Sequence, residues 1–256
     1  MPLIKTASTD SPATLPDRLD AAFGDLPPAL RLRVLRRAVS GAIVFTTSFG
    51  LEDQALTHCI CDAGVDVEIV TLDTGRLFPE TYTLWAETEQ RYKRRIRAYY
   101  PRHEDLGDLV FRQGVNGFFN SAESRKACCG VRKVEPLRRA LDGASAWVTG
   151  LRGDQSANRQ GMGFVSLDQT HELLKANPLF DWSRDAVLAF AEQNDVPLNP
   201  LHAKGFPSIG CAPCTRAVAP GEPERAGRWW WEEEAKKECG LHVAEDGRLV
   251  RAGASA

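Results

Sequence analysis

Four cysteines carry the densest chemical information in this chain. Cys128 and Cys129 adjoin in KACCGVRK, and Cys211 and Cys214 stand two apart in GCAPCTR. Four convergent thiolates make a soft-ligand site, which selects zinc or an iron–sulfur cluster. Structural zinc usually takes cysteines spaced by two to four residues. The vicinal pair fits that pattern poorly, because neighbouring side chains on a helix point about 100° apart. A [4Fe–4S] cluster, with its iron corners spread in space, suits the divergence better; zinc, a disulfide or uninvolved thiols are the alternatives. Cys239, in KKECGLH, stands outside this set. Lys236, Lys237 and His242 surround it with charge that would favour the nucleophilic thiolate, Glu238 opposes them, and Gly240 lets the backbone swing.

Three further motifs have the composition of anion sites. In SFGLEDQ, Ser48 and Gly50 could offer backbone N–H groups and a hydroxyl at a helix start. The Gly-Lys-Ser/Thr of a P-loop is missing, so NTP hydrolysis of that kind is not supported. In LDTGRLFPETY, the turn formers Asp73, Thr74 and Gly75 precede Arg76, and Pro79 suits the first turn of a helix. In GLRGDQSANR, Arg152 and Arg159 could clamp an oxyanion. Each motif also reads as ordinary turn chemistry. Lys133 lies four residues after Cys129, on the same face if both belong to one helix, where its charge would offset a thiolate-bound cluster. Arg225 and Arg228, in GEPERAGRWW, are spaced to share a helical face and meet an anion. Trp229, Trp230 and Trp231 read as packing or interface. Cys59 and Cys61 read as small buried hydrophobes, and His58, His103 and His171 as structural or surface residues.

The elements that must position these groups follow from periodicity. Residues 15–40 read as helical, broken at Pro27-Pro28. AIVFTTS (42–48) is a buried strand by pattern, LEDQALTHCICDAG a helix closed by Gly64, and VEIVTLDTG a second strand. A helix from about Pro79, a strand in IRAYYP, a helix over 129–142 and a strand in SAWVTGL complete the alternation. A strand region (163–176), a helix (183–195), the CxxC loop and a tail rich in Trp, Arg and Glu follow. Strand and helix alternate at parallel-sheet spacing, which predicts an α/β fold with flanking helices. The polar motifs then line one crevice beyond the strand ends.

The expected organisation is a loose N-terminus (1–15), one α/β domain (16–220) and a mobile tail (221–256) carrying Cys239. No stretch approaches a membrane span. MPLIKTASTDSPATLP lacks the pattern of a secretory signal, so seven cysteines point to a reducing cytoplasm. The formal net charge of −2 gives no global field for nucleic acid or membrane, so any anion site is built locally.

Taken in order, SFGLEDQ, LDTGRLFPETY, GLRGDQS, the CC…CxxC set and ECGLH resemble the assimilatory sulfonucleotide reductases, on the adenylyl-sulfate (APS) side of the APS/PAPS reductase family. The resemblance spans residues 40 to 242. It implies a Rossmann-like parallel sheet of the adenine nucleotide alpha-hydrolase type, and APS bound at the strand ends. It implies attack by Cys239 on the sulfate sulfur with AMP leaving, and release of sulfite by thioredoxin or a similar dithiol. Lys133, Arg152, Arg225 and Arg228 would screen the anions, and His242 would orient the tail. Cys128, Cys129, Cys211 and Cys214 would hold a [4Fe–4S] cluster with a positional and electrostatic role. The cluster cysteines favour APS over PAPS, with dual specificity as the alternative, and the family implies a homo-oligomer. One departure is Gly153, where relatives often carry a second basic residue. Competing readings are an ATP pyrophosphatase-like enzyme, which would show an SGGxDS-type turn, and a metal-stabilised binding module without catalysis.

Overall fold

The computed structural model describes residues 14–155 and 163–232. The chain opens with α1 (Leu15–Phe23) and α2 (Pro28–Ala38), separated at the expected proline pair. Thr14 caps α1 reciprocally with Asp17, satisfying donors that a helix start leaves open. Then come β1 (Ala42–Thr47), α3 (Leu51–Asp62), β2 (Glu68–Leu72), α4 (Pro79–Tyr92) and β3 (Arg97–Tyr99). After these follow α5 (His103–Gln113), α6 (Ala122–Cys129), α7 (Glu135–Ala140) and β4 (Ala144–Val148). The hairpin strands β5 (Val165–Asp168) and β6 (Leu173–Ala176) and helix α8 (Arg184–Gln193) complete the regular elements.

The six strands form one sheet in the order β3-β2-β1-β4-β6-β5. All pairs are parallel except β5 with β6. The expected α/β architecture therefore holds, with one antiparallel edge. The link from β5 to β6 is too short for a crossover, which needs a dozen or more residues, so the chain can only fold back. The strands are apolar on both sides because both faces are covered. Ile43, Phe45, Ile69 and Val148 join α1, α2, α3 and α8 on one face, while Val44, Val70 and Trp147 meet Leu137 and Leu141 on the other. Alternate residues point to opposite faces of a strand, so one short segment feeds both cores.

The chain winds outward from β1 to β3 and then returns to place β4 on the other side of β1. The reversal opens a crevice at the carboxyl ends of β1 and β4, the usual ligand position in such sheets. The helix expected over 129–142 is instead composite. α6 runs to Cys129, a π turn spans Gly130–Val134, and α7 starts at Glu135. Pro136 lacks an N–H and would clash with the preceding turn of a regular helix, and the wider turn relieves both problems. Helix α5 has no counterpart in the sequence reading. No helix among the described residues is long and apolar enough to cross a membrane.

Residues 221–232, placed with the tail on sequence grounds, pack on the body: Trp229 is 1% exposed. A second tie lies behind the sheet. Arg31 is buried, donates from Nε to the Phe23 carbonyl (2.8 Å) and from Nη1 to that of Pro178 (2.8 Å), and grips both oxygens of Asp181 at 2.6 and 2.8 Å. It fastens α1 and α2 to the segment after β6. Asp181→Ala should cost about 2 kcal/mol, the scale of a charged hydrogen-bond pair, with water replacing part of the half-exposed carboxylate. Urea unfolding checks this, and a loss below about 0.5 kcal/mol contradicts it.

Candidate active site

The crevice has a volume of about 200 Å³ and is walled by the ends of β1, β2 and β4, including Thr46, Thr71, Trp147 and Thr149. Ser48 and Gly50 line it, as the sequence suggests. The turn is built differently from expectation. The left-handed residue is Phe49 (φ 58°), while Gly50 has an ordinary φ of −73°. Phe49 is held there by burial and by stacking on Trp85 at 5.6 Å. The Ser48 N–H and hydroxyl both donate to Asp53 Oδ2, at 2.6 and 2.7 Å. An internal carboxylate thus occupies the donors expected to face a substrate anion. Burial pushes the Asp53 carboxyl up to about 6, the two Ser48 bonds opposing it and Glu52 adding to it. Gly150 permits this packing, because a Cβ there would lie 2.3 Å from Asp53 Oδ1.

The LDTGR turn divides its labour. Asp73 is buried, and its Oδ1 accepts from Gly75 N and from the Tyr82 hydroxyl, both at 2.8 Å. Gly75 takes the left-handed conformation (φ 69°) that the turn requires. Thr74 reaches the crevice, and its hydroxyl lies 3.3 Å from Cys211 Sγ. Arg76 turns away, donating to Asn116 Oδ1 (3.0 Å) and the Val115 carbonyl (2.6 Å) and lying over Phe118 at 5.2 Å. Asp73 and Gly75 therefore shape the turn, and Arg76 faces the cysteines rather than the crevice.

Arg152 departs most from expectation. It is fully buried, and its donors go to Glu52 (2.7 Å), Glu224 (2.9 Å) and Asp154. Its guanidinium is filled by three internal carboxylates instead of facing an open anion site. Gly153 packs against Phe180, whose ring a Cβ would approach at 3.1 Å, so a side chain there requires that ring to shift slightly.

The four cysteines do converge. Cys128 and Cys129 at the end of α6, and Cys211 and Cys214 around the 3-10 turn Ala212–Cys214, line one cavity with Arg76, Arg125 and Arg132. Among the described residues no three His, Cys, Asp or Glu side chains are grouped as they would be around a single metal ion. For Cys211, burial raises the thiol. The charge of Lys133, the Thr74 hydroxyl, Arg228 and Arg132 together outweigh burial and hold it below the ordinary value. For Cys214, burial wins, reinforced by Cys211, and the thiol is pushed up to about 12 despite Lys133 and Arg228.

Lys133, Arg228 and Trp229 line both the crevice and the cysteine cavity, and so form their common wall. Trp229 is buried in a left-handed conformation (φ 43°), with Arg125, Arg228 and Arg225 placed 4.6, 4.8 and 5.9 Å from its ring. Its N–H donates to the Cys214 carbonyl at 3.2 Å. Cation–aromatic contacts of this kind strengthen when desolvated. Arg225 and Arg228 sit in a turn-rich segment, not on the shared helical face expected, and Arg228 makes an isolated bridge with Thr215. Gly210 gives Arg228 its place: a Cβ there would lie 2.2 Å from Nη2.

Trp229, Arg125 and Gly210 went unrecognised as site residues in the sequence. The juxtaposition of RAGRWWW with GCAPC in composition was the available signal. Cys239, His242 and Arg159 lie outside the described residues. His58 and His171 make the packing contacts expected of them, with Tyr92 and Asp168, and His103 is exposed. Cys59 is buried as expected, its thiol pushed up to about 12 by burial.

Asp53 supplies a pH signature. Its folded value of about 6 stands above the 3.8 of an ordinary aspartate, so the folded chain holds this proton more readily than the unfolded chain. The corresponding stability is full below the unfolded value and is lost as pH rises through the folded one. Asp53→Asn cannot ionise. It should flatten the fall in unfolding free energy between about pH 4 and 6, and an unchanged slope in the variant contradicts the assignment.

Residues 42–217 match the phosphoadenosine phosphosulfate reductase domain. The chain is 52% identical over 217 residues to the adenosine 5'-phosphosulfate reductase of Sinorhizobium fredii (strain NBRC 101917 / NGR234), covering 85% of this chain and 86% of that one. It is 50% identical over 238 residues to the adenosine 5'-phosphosulfate reductase of Allochromatium vinosum, covering 93% and 89%. Among solved structures it is similar to the phosphoadenylyl-sulfate reductase from Candida auris in its phosphate complex, with a TM-score of 0.66 and 28% identity over 79% of this chain and 95% of that one. The chain belongs to the phosphoadenosine phosphosulfate reductase family.

Proposed function

We propose that the chain reduces APS to sulfite and AMP in sulfate assimilation, with Cys239 as nucleophile. The observation that carries this reading is the common wall: Lys133 and Arg228 face both the crevice and the four cysteines. Identity at or above 50% to relatives named adenosine 5'-phosphosulfate reductase supports APS as the substrate.

The chemistry balances as a thiol displacement. The Cys239 thiolate attacks the sulfate sulfur, an S–S bond forms, and the S–O bond to the AMP phosphate breaks with its electron pair leaving on AMP. The enzyme then carries an S-sulfocysteine. One thiol of a thioredoxin-like dithiol attacks Cys239 Sγ, sulfite departs with the electron pair of the S–S bond, and the second thiol attacks the resulting mixed disulfide and releases the Cys239 thiolate, so the dithiol supplies both electrons. An anionic nucleophile approaching an anionic group needs fixed cations. Lys133, Arg225 and Arg228 line the crevice and are suited to that task. Cys239 must reach the sulfate group for the attack and the reductant afterwards, and His242 is assigned to orient it.

Cys128, Cys129, Cys211 and Cys214 fit a [4Fe–4S] cluster on two counts. They line one cavity, and four thiolates are the ligands that such a cluster takes. Arginines and Lys133 border the same cavity, and the charges around Cys211 favour its thiolate. Bound there, the cluster would supply fixed charge and an anchor for the CxxC loop. A reducing cytoplasm suits the free thiols. A homo-oligomer suits the exposed rings of Phe119 and Trp230, each 40% exposed.

Anaerobically purified protein, assayed for sulfite with thioredoxin as reductant, should prefer APS over PAPS. Equal use would make it a dual-specificity reductase, and no sulfite from either would refute the proposal. Cys239→Ser should keep the brown colour and lose sulfite formation; retained activity sinks the nucleophile assignment. Gly210→Ala, by crowding Arg228, should lower turnover about 10- to 100-fold with the fold intact, and wild-type turnover would show that the Arg228 position is not critical.

A further inference from the structure

A fully buried arginine whose bonds all go to carboxylates is an anion site that the chain has filled for itself. Glu52 accepts from Arg152 Nε at 2.7 Å and belongs to the first turn of α3, where its backbone is fixed. Glu224 differs. It sits in an irregular segment, lines the crevice, and takes Nη2 with both oxygens, at 3.1 and 2.9 Å. Arg184 Nη1 also lies 3.7 Å from its Oε1. Burial raises the Glu224 carboxyl, and the neighbouring Glu52 adds to that, against the pull of Arg152 and Arg184. The pair is therefore formed under opposition from a like charge. Asp154, the third partner, is half exposed and does not line the crevice.

We propose that Glu224 is a displaceable counter-anion, holding the Nη2 edge of Arg152 until an oxyanion of the substrate takes its place. A guanidinium accepts carboxylate and phosphate or sulfate with the same planar fork, so one group can replace the other without rebuilding the site. Glu224 precedes Arg225, which also lines the crevice, so its release couples anion binding to movement of a second cation. The exchange makes Arg152 a substrate contact only in the bound state, which reconciles its burial with its place beside the crevice. It rests on the function proposed above, since it requires an anionic nucleotide in this crevice.

Displacement reduces apparent affinity by the fraction of molecules in which the site is open. Glu224→Gln keeps the shape but weakens the hold on Arg152. Calorimetric titration of the full chain with APS and with AMP should therefore show about three- to tenfold tighter binding in Glu224→Gln than in the wild type. In an Arg152→Gln background the same change should have little effect, because the contested guanidinium is gone. Unchanged or weaker binding in Glu224→Gln, with an unchanged melting temperature, overturns the proposal. So does tightening that persists in full without Arg152, which would be simple removal of a negative charge. Should Arg152→Gln fail to fold, the same comparison is made in an Arg152→Lys background, whose single ammonium cannot offer the fork that Glu224 occupies: a clearly smaller effect of Glu224→Gln there supports the exchange, and undiminished tightening overturns it. Wild-type protein that binds neither nucleotide would instead refute the functional reading itself.

Discussion

Fixed positive charge, gathered around one buried indole and pinned at Arg125 by the buried Glu232 carboxylate at 2.6 Å, is the constraint on which this molecule depends. Trp229 has three guanidiniums around its ring and a backbone bond to Cys214. Arginines in water would spread by repulsion; against a desolvated aromatic face each gains an attraction that offsets it. The arrangement keeps Arg228 between two sites that both need a cation. One holds thiols that must be thiolates to bind a metal. The other is a crevice suited to an anion. The left-handed backbone at Trp229 and the bare Gly210 beside Arg228 are the local adjustments that this joint requires.

The sheet supplies the frame for that joint. Reversal of the winding direction between β1 and β4 opens the crevice, and apolar packing on both faces leaves the strand ends as the polar positions. The helical run bearing Cys128 and Cys129 passes along the wall. Its π turn carries Lys133 past the cysteines to the crevice side. The CxxC loop is tied to the second strand end by the bond from Ala212 N to the Arg76 carbonyl, 2.8 Å long. Two sequence segments far apart thus meet at a site that neither could build alone.

Much of the frame was legible in the sequence. AIVFTTS and VEIVTLDTG declare buried strands through short runs rich in apolar and β-branched residues, and the cysteine spacing declares a shared site. What escaped is what depends on partners distant in sequence. Arg152 reads as a free clamp until Glu224, contributed from beyond the CxxC loop, arrives to fill it. Arg225 and Arg228 have helical spacing, yet the segment obeys its contacts with Trp229 and Thr215 instead. The edge strand β5 runs antiparallel because a short turn leaves no alternative, a matter of connection length more than of composition. Ser48 and Asp53 are the instructive exception. A carboxylate in the first turn of a helix commonly reaches back to donors at its start, so the internal occupation of that turn could have been anticipated.

The central claim is that crevice and cysteine cavity are one electrostatic unit joined through Lys133, Arg228 and Trp229. The most direct measurement is the visible absorption of the anaerobically purified wild-type chain during titration with APS in the absence of reductant. With the proposed cluster held by the four cysteines, the account predicts a saturable change in its visible bands with the midpoint of nucleotide binding, since an anion against the wall alters the field at the thiolates. A spectrum that stays constant while APS demonstrably saturates the crevice would contradict it.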